Sequence, residues 1–81
     1  MNVEIFAIMD IKVGAYMQPW FSATKASAIR SFENVCKDQS TTLGQYPADF
    51  QLFALGKFDD QTGLFETHTP LILCSGASNV A

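Results

Sequence analysis

The chain has 81 residues, a formal net charge of −3, 48% hydrophobic residues and 16% charged residues. This composition predicts one globular domain with a small core and excludes a disordered chain. The negative charge argues against tight, non-specific nucleic-acid binding by a monomer, because such proteins normally present a basic face.

The first predicted element is a strand over Val3 to Ile11. Alternate residues from Val3 to Ile11 form one wholly apolar face, and Phe6 and Ile8 make the middle of the other face apolar too. A strand that is apolar on both faces is usually central in its sheet and covered on both sides. Gly14 then allows a turn.

A short returning edge strand is predicted over Ala15 to Phe21, limited by Pro19, which lacks the N–H that a central strand must donate. A helix over Ser22 to Lys37 follows, with Ser22 or Thr24 as its N-cap. The apolar residues that recur at helical spacing are Ala26, Ile29, Phe32 and Cys36, and Ala28 and Val35 widen the stripe.

The second half of the chain predicts a loop and a hairpin. Gln39 to Asp49 has loop composition, and Phe50 to Phe58 is again apolar on both faces. Residues 59–63 predict a turn into a partner strand over Leu64 to Thr67. Pro70 prevents simple continuation before the short apolar run Leu71 to Cys74. Residues 75–81 predict a flexible tail after a single 1–74 domain.

These elements predict an α+β fold, with a small antiparallel sheet of three to four strands and one helix on one face, in ββαββ-like or βαββ order. A single helix leaves the second sheet face bare, although the two long strands are apolar on both sides. The simplest cover is another copy of the same sheet, so we expect a homodimer or higher homo-oligomer.

The start of the chain predicts no signal peptide, since residues 1–10 lack a basic region and Glu4 interrupts the apolar run. No segment approaches the roughly 20 apolar residues of a membrane span. Cys36 and Cys74 form no CxxC pattern, which favours a reducing cytoplasm and two buried thiols over a disulfide or redox pair.

Catalysis is not expected, because a nucleophilic triad needs a base near its nucleophile. His68 is the single imidazole, and Cys36 lies on the apolar helix stripe, where burial keeps a thiol unreactive. No glycine-rich phosphate loop is present. We expect neither a catalytic residue set nor a cofactor.

The acidic pair Asp59-Asp60 raises the question of a metal or carboxylate site. The segment DDQTG lacks the further carboxylates of a calcium loop. Aspartate accepts backbone N–H bonds at the head of a turn, Thr62 does so within it, and Gly63 supplies the positive φ of a bulged hairpin. We therefore predict a structural turn and no metal site.

Aromatic and basic residues meet in sequence around the edge strand and the helix start. Tyr16, Trp20 and Phe21 lie near Lys12 and Lys25, and single-strand binders combine aromatic platforms with a basic groove. The competing interpretation is that Trp20 and Phe21 pack the helix onto the sheet while Lys25 is solvated.

Several stretches together resemble a known family. They are IFAIMDIKVGAYMQP, a helix containing Thr24 and AIRSF, the segment YPADFQLFALG, and GKFDDQTG. The combination is similar to the small non-structural protein of gokushovirus-type microviruses, which are phages with single-stranded circular DNA. Tyr46 replaces the family's usual His, and Ala48 its usual Glu.

The resemblance implies a non-capsid protein of the host bacterial cytoplasm that binds DNA. The implied role lies in single-stranded DNA synthesis, at the switch from duplex replication to genome production and packaging. It carries over no catalytic residue. Under this hypothesis Tyr16 and Trp20 stack on bases, Lys12, Lys25 and Arg30 contact phosphates, and a dimer aligns Lys57 with Lys12 and Lys25.

A second hypothesis belongs to another class. The chain is then a protein–protein adaptor that acts on phage or host replication proteins, or on the procapsid, through its apolar sheet face without direct DNA contact.

Overall fold

A computed structural model describes residues 2–79 and confirms an α+β fold. One five-stranded antiparallel sheet carries one long helix on one of its faces. The strands are β1 (Asn2–Asp10), β2 (Ala15–Tyr16), β3 (Trp20–Ser22), β4 (Phe50–Asp59) and β5 (Phe65–Ser75), and the α-helices are α1 (Lys25–Cys36) and α2 (Thr42–Gln45).

The two strands predicted to be central lie in the middle of the sheet. The order is β2-β1-β4-β5, and β3 pairs with the same edge of β1 as β2. Both β1 and β4 thus have a hydrogen-bonded neighbour on either side, which agrees with their apolar character on both faces. The sheet has five strands where the sequence predicts three or four.

The predicted edge strand is split around Pro19. Its first part, β2, pairs with Met9 and Asp10. Its second part, β3, pairs with Glu4, Ile5 and Phe6. Because proline donates no N–H bond, the ladder is interrupted between the two parts and resumes at Trp20.

Helix α1 is shorter than the predicted span of Ser22 to Lys37. Ser22 belongs to β3, and Thr24 is the N-cap, since its hydroxyl oxygen accepts a hydrogen bond from the Ser27 N–H at 3.1 Å. Ala28, Phe32 and Cys36 are buried against the sheet. Ala26 and Val35, both assigned to the apolar stripe, are exposed.

The core lies between α1 and one face of the sheet. Phe6 of β1 and Phe50, Leu52 and Ala54 of β4 contact the buried side of α1, and Leu43 of α2 closes one end. Phe32 is 1% exposed. Truncating such a buried aromatic costs about 3–5 kcal/mol.

The predicted loop at 39–49 contains helix α2 and a 3₁₀ helix over Pro47–Asp49. The Thr41 hydroxyl caps α2 by accepting the Gly44 N–H at 3.0 Å. Gly44 is needed because a Cβ at this position would overlap the carbonyl oxygen of Asp38. Four residues are too few to show a helical period in the sequence.

Strand β5 joins the two pieces that the sequence separates at Pro70. It runs from Phe65 to Ser75, with two register shifts against β4, one across the unpaired residues 68–70 and one at Leu73. A proline is tolerated here because β5 is an edge strand and Pro70 falls in a register shift, where no residue of β4 is paired with it.

Residues 75–79 of the segment predicted as a tail are described by the structure. Ser75 is the last residue of β5, and Gly76–Asn79 form a 3₁₀ helix. Gly76 lies against Pro47 so closely that a Cβ would overlap the Pro47 carbonyl oxygen. Residues 80 and 81 lie outside the described residues.

Candidate functional site

The face of the sheet opposite α1 carries a concentration of aromatic rings. Paired residues on neighbouring antiparallel strands share a face, and the pairs Met9–Tyr16, Ile5–Phe21, Ala7–Phe53, Val3–Phe58 and Phe58–Phe65 all fall on the side away from the Phe6 core. We call the surface formed by Tyr16, Phe21, Phe53, Phe58 and Phe65 the aromatic face.

Three of these rings form one group near the start of β1. The ring centroids of Phe58 and Phe65 are 4.9 Å apart, those of Phe21 and Phe58 are 5.7 Å apart, and those of Phe21 and Phe65 are 6.3 Å apart. These separations are typical of tilted aromatic packing. Phe21 is nevertheless 52% exposed and Phe65 60% exposed, so much of their ring surface faces solvent.

Tyr16 and Phe53 form a second group toward the end of β1. Their rings meet edge to face, with centroids 5.4 Å apart and an interplanar angle of 82°. Tyr16 is 42% exposed. The side chains of β1 that lie under the aromatic face, Ile5 and Ala7, are buried. The rings therefore shield the backbone of β1 and present their own outer surfaces.

The aromatic face is uncharged within residues 2–79. On β1, β4 and β5 the charged residues occupy the opposite side, by the same alternation that separates Phe6 from Ile5: Glu4, Asp10, Lys57, Asp59 and Glu66. The other carboxylates lie on α1, in turns or in the 3₁₀ helix at 47–49: Glu33, Asp38, Asp49 and Asp60. A polyanion on this face would meet carboxylates only where it reached the hairpin at residues 59–63.

The structure does not bring the predicted cations together. Lys12 is exposed in the turn between β1 and β2, where the Asp10 carboxylate accepts its backbone N–H at 3.0 Å. Lys25 and Arg30 are exposed on α1, on the other side of the sheet. Lys57 is paired across the ladder with Glu4 on one side and Glu66 on the other. Its cross-strand partners are thus both carboxylates.

Trp20 lies on the opposite side of the sheet from Tyr16. It pairs with Phe6, its ring centroid is 6.1 Å from that of Phe6, and it packs against the core under α1. The packing interpretation of the sequence describes Trp20 correctly, whereas Phe21 points away from the helix. Tyr16 and Trp20, which their closeness in sequence suggested as one stacking platform, therefore lie on opposite faces of the sheet.

The Asp59–Gly63 segment is the turn that the sequence predicts. The Asp59 carboxylate accepts the Gln61 N–H at 2.9 Å, and the Asp59 carbonyl oxygen accepts the Gly63 N–H at 2.8 Å. The first of these bonds lowers the pKa of Asp59. Gly63 has φ 75°, and the Thr62 hydroxyl accepts the Leu64 N–H at 3.3 Å.

The hairpin end also forms an open cleft of about 210 Å³ on the helix side of the sheet. Its lining mixes two carboxylates, one ammonium group and an apolar side chain: Asn2, Lys57, Asp59, Thr62, Leu64 and Glu66. Among the described residues no group of three or more His, Cys, Asp or Glu side chains is placed to hold a metal ion.

Cys36, Cys74 and His68 are not among the residues that form the aromatic face or line the hairpin cleft. Cys36 is buried, Cys74 is half-buried, and both are free. Burial, with a smaller contribution from Glu33, raises the pKa of both thiols. The Nδ1 atom of His68 lies 2.8 Å from the Thr69 carbonyl oxygen, a hydrogen bond to its own neighbour in β5.

Sequence reasoning singled out Tyr16 and Phe21, in one cluster with Trp20, but missed Phe53, Phe58 and Phe65 as members of the same surface. The available signal was the alternation in β1 and β4, which places large apolar residues on both faces. The pairing of β3 and β5 with these strands was needed to bring the rings together.

No helix within residues 2–79 has the length and apolar character to cross a membrane. Comparison with curated proteins and with solved structures finds no match to this chain. A family model described as "Phage ORF5 protein" matches residues 3–79, nearly the whole chain. The chain therefore belongs to the Phage ORF5 protein family.

Proposed function

We propose that this phage protein is a non-structural protein that binds single-stranded DNA by stacking bases on the aromatic face. One observation carries the proposal: Tyr16, Phe21 and Phe65 are 42%, 52% and 60% exposed on a sheet surface that lacks carboxylates. Every base has a π-face, and stacking on an aromatic side chain contributes about 1–3 kcal/mol per base.

The biological setting follows from the family and from the resemblance to gokushovirus-type microviruses. Such phages carry single-stranded circular DNA, and a protein that covers exposed bases suits the switch from duplex replication to genome production and packaging in the host bacterial cytoplasm. The net charge of −3 favours a binder in which stacking supplies more of the affinity than phosphate neutralisation does.

In this proposal Lys12 is the residue that contacts phosphate. It stands in the turn that leads directly into β2 and is thus the cation nearest in sequence to Tyr16. Lys25 and Arg30 lie on the helix side, so they contact a strand only if it leaves the aromatic face and passes around the sheet edge.

The test is anisotropy of a labelled oligothymidylate at several salt concentrations. Phe65→Leu and Tyr16→Leu should each weaken binding by about 1–3 kcal/mol, because each removes a stacking ring. Tyr46→Leu is the matched control, since Tyr46 is 59% exposed but lies just before the 3₁₀ helix, outside the sheet. Equal losses in all three variants, or no measurable binding by the wild type, would sink the proposal.

Salt dependence tests the role of Lys12. Lys12→Gln should reduce the slope of log K against log salt by about 1, the amount expected for one phosphate contact. Lys57→Gln should leave the slope unchanged, because Glu4 and Glu66 flank Lys57. An unchanged slope in Lys12→Gln removes Lys12 from the site.

A second candidate is the protein–protein adaptor, favoured by the dispersal of the cations and by the uncharged character of the face. Here the same rings pack against a replication or procapsid protein, or against a second copy of the chain. Binding of such a protein partner would favour this candidate if oligothymidylate does not displace the partner and if Phe65→Leu and Tyr16→Leu abolish the binding.

A further inference from the structure

The aromatic face is divided into two ring groups. The first is Phe21, Phe58 and Phe65, and the second is Tyr16 and Phe53. Among the ring contacts within residues 2–79, none joins one group to the other. Ala7 of β1, whose small side chain is buried, lies between Ile5 and Met9, the partners of Phe21 and Tyr16, and is itself paired with Phe53.

The register of β1 gives the separation of Phe21 in the first group from Tyr16, the exposed ring of the second group. Phe21 is paired with Ile5, and Tyr16 is paired with Met9, four residues further along the strand. At about 3.3 Å per residue the two positions are about 13 Å apart along β1. One planar base cannot cover both rings at that distance.

We propose that the two groups are separate stacking stations for two non-adjacent bases of one single strand, which runs roughly along β1. The inference rests on the proposed DNA-binding function. A strand whose bases stay stacked rises about 3.4 Å per nucleotide, so about four nucleotide steps span the gap, and a more extended strand needs fewer.

Charge sets the polarity of the site. The Tyr16 end adjoins the turn in which Lys12 is balanced by one carboxylate, Asp10, whereas the Phe65 end adjoins the hairpin with the two carboxylates Asp59 and Asp60. A strand longer than the gap should therefore continue past the Tyr16 end, where its phosphates approach a cation, and stop at the hairpin, where carboxylates repel them.

The test uses oligonucleotides of eight nucleotides that carry two thymine bases and are otherwise abasic. The number of phosphates is constant, and only the spacing of the two bases changes, from one to six steps. Affinity should be greatest at about two to four steps. The adjacent pair should bind more weakly, by about 5- to 150-fold, the equivalent of one lost stacking contact.

The variants assign each station. Tyr16→Leu should abolish the preference for spaced bases and leave the affinity for the adjacent pair within about twofold, because one station remains. Tyr46→Leu should preserve the preference, and circular dichroism checks that the folds are intact. A spacing preference that survives Tyr16→Leu contradicts the assignment of this station.

The remaining outcomes separate the two proposals. If all spacings bind equally but better than a fully abasic strand, the two-station inference is wrong and base stacking stands. If no base-bearing strand binds better than the abasic one, the stacking function itself is wrong.

Discussion

The packing of β5 against β4 requires a residue without a side chain at Gly56. Gly56 lies at the register shift between β1 and β4, has φ 155° and faces Thr67 of β5. A Cβ there would overlap the Glu66 carbonyl oxygen and crowd the Thr67 backbone. The close approach of β5 to β4, and with it the position of Phe65 beside Phe58, depends on this glycine.

We expect Gly56→Ala to destabilise the protein by more than about 2 kcal/mol, because the overlap is with backbone that cannot rotate away. Gly14→Ala is the matched control. Gly14 has φ 78° but open space around it, so only the strain of about 1 kcal/mol or slightly more applies. Urea unfolding followed by circular dichroism measures both, and similar losses would contradict the steric explanation.

At the scale of single residues, the sequence predicts what depends on local chemistry. The Asp59 to Gly63 turn and the Thr24 cap both follow from side chains that bond to backbone a few positions away. The requirement for glycine at positions 56 and 44 cannot be predicted from the local sequence. Gly56 is required by the backbone of another strand, and Gly44 by the conformation of its own loop, which no local pattern indicates.

At the scale of elements, α1 covers one face of the sheet, and the Thr24 hydroxyl caps the N-terminus of this helix. Thr24→Ala should cost about 1 kcal/mol, since the Ser27 N–H loses its acceptor. Ser31→Ala, at an exposed position inside α1, should be neutral or slightly stabilising because alanine has the higher helix propensity. A neutral Thr24→Ala in thermal unfolding would show that the cap does not contribute.

The strands differ in how far the sequence predicts them. For β1 and β4 the two-sided apolar alternation gives both the bounds and the central position, because burial on both faces leaves a strong pattern. In β5, which is an edge strand with exposed residues from Phe65 to Ile72, burial leaves little pattern. Its continuity through Pro70 is decided by pairing to β4.

At the scale of the whole molecule, the candidate site too can be predicted only in part from the sequence. Tyr16 and Trp20 are four positions apart in sequence, yet they lie on opposite sides of the sheet because each follows its own partner on β1. Conversely, Phe21 and Phe65 come together from segments 44 positions apart. Only the strand order shows which rings share a surface.

The expected homo-oligomer is a prediction at this scale. A second copy would cover the same aromatic face that we propose for DNA, since a face uncharged on both partners meets without repulsion, so the two compete and oligothymidylate should dissociate the homo-oligomer. Light scattering after size-exclusion chromatography at micromolar concentration should give a mass above the 8.9 kDa of one chain, and Phe65→Leu should lower it. A stable monomer would leave the aromatic face open for DNA alone.

The placement of the single tryptophan has an optical consequence. Trp20 is packed on Phe6 beneath α1, so its emission reports whether helix and sheet remain together and is shielded by the sheet from anything that settles on the far side. Its fluorescence is therefore a reporter of unfolding that stays silent during titration with oligothymidylate. Quenching by DNA in the folded protein would mean that the strand lies on the helix side.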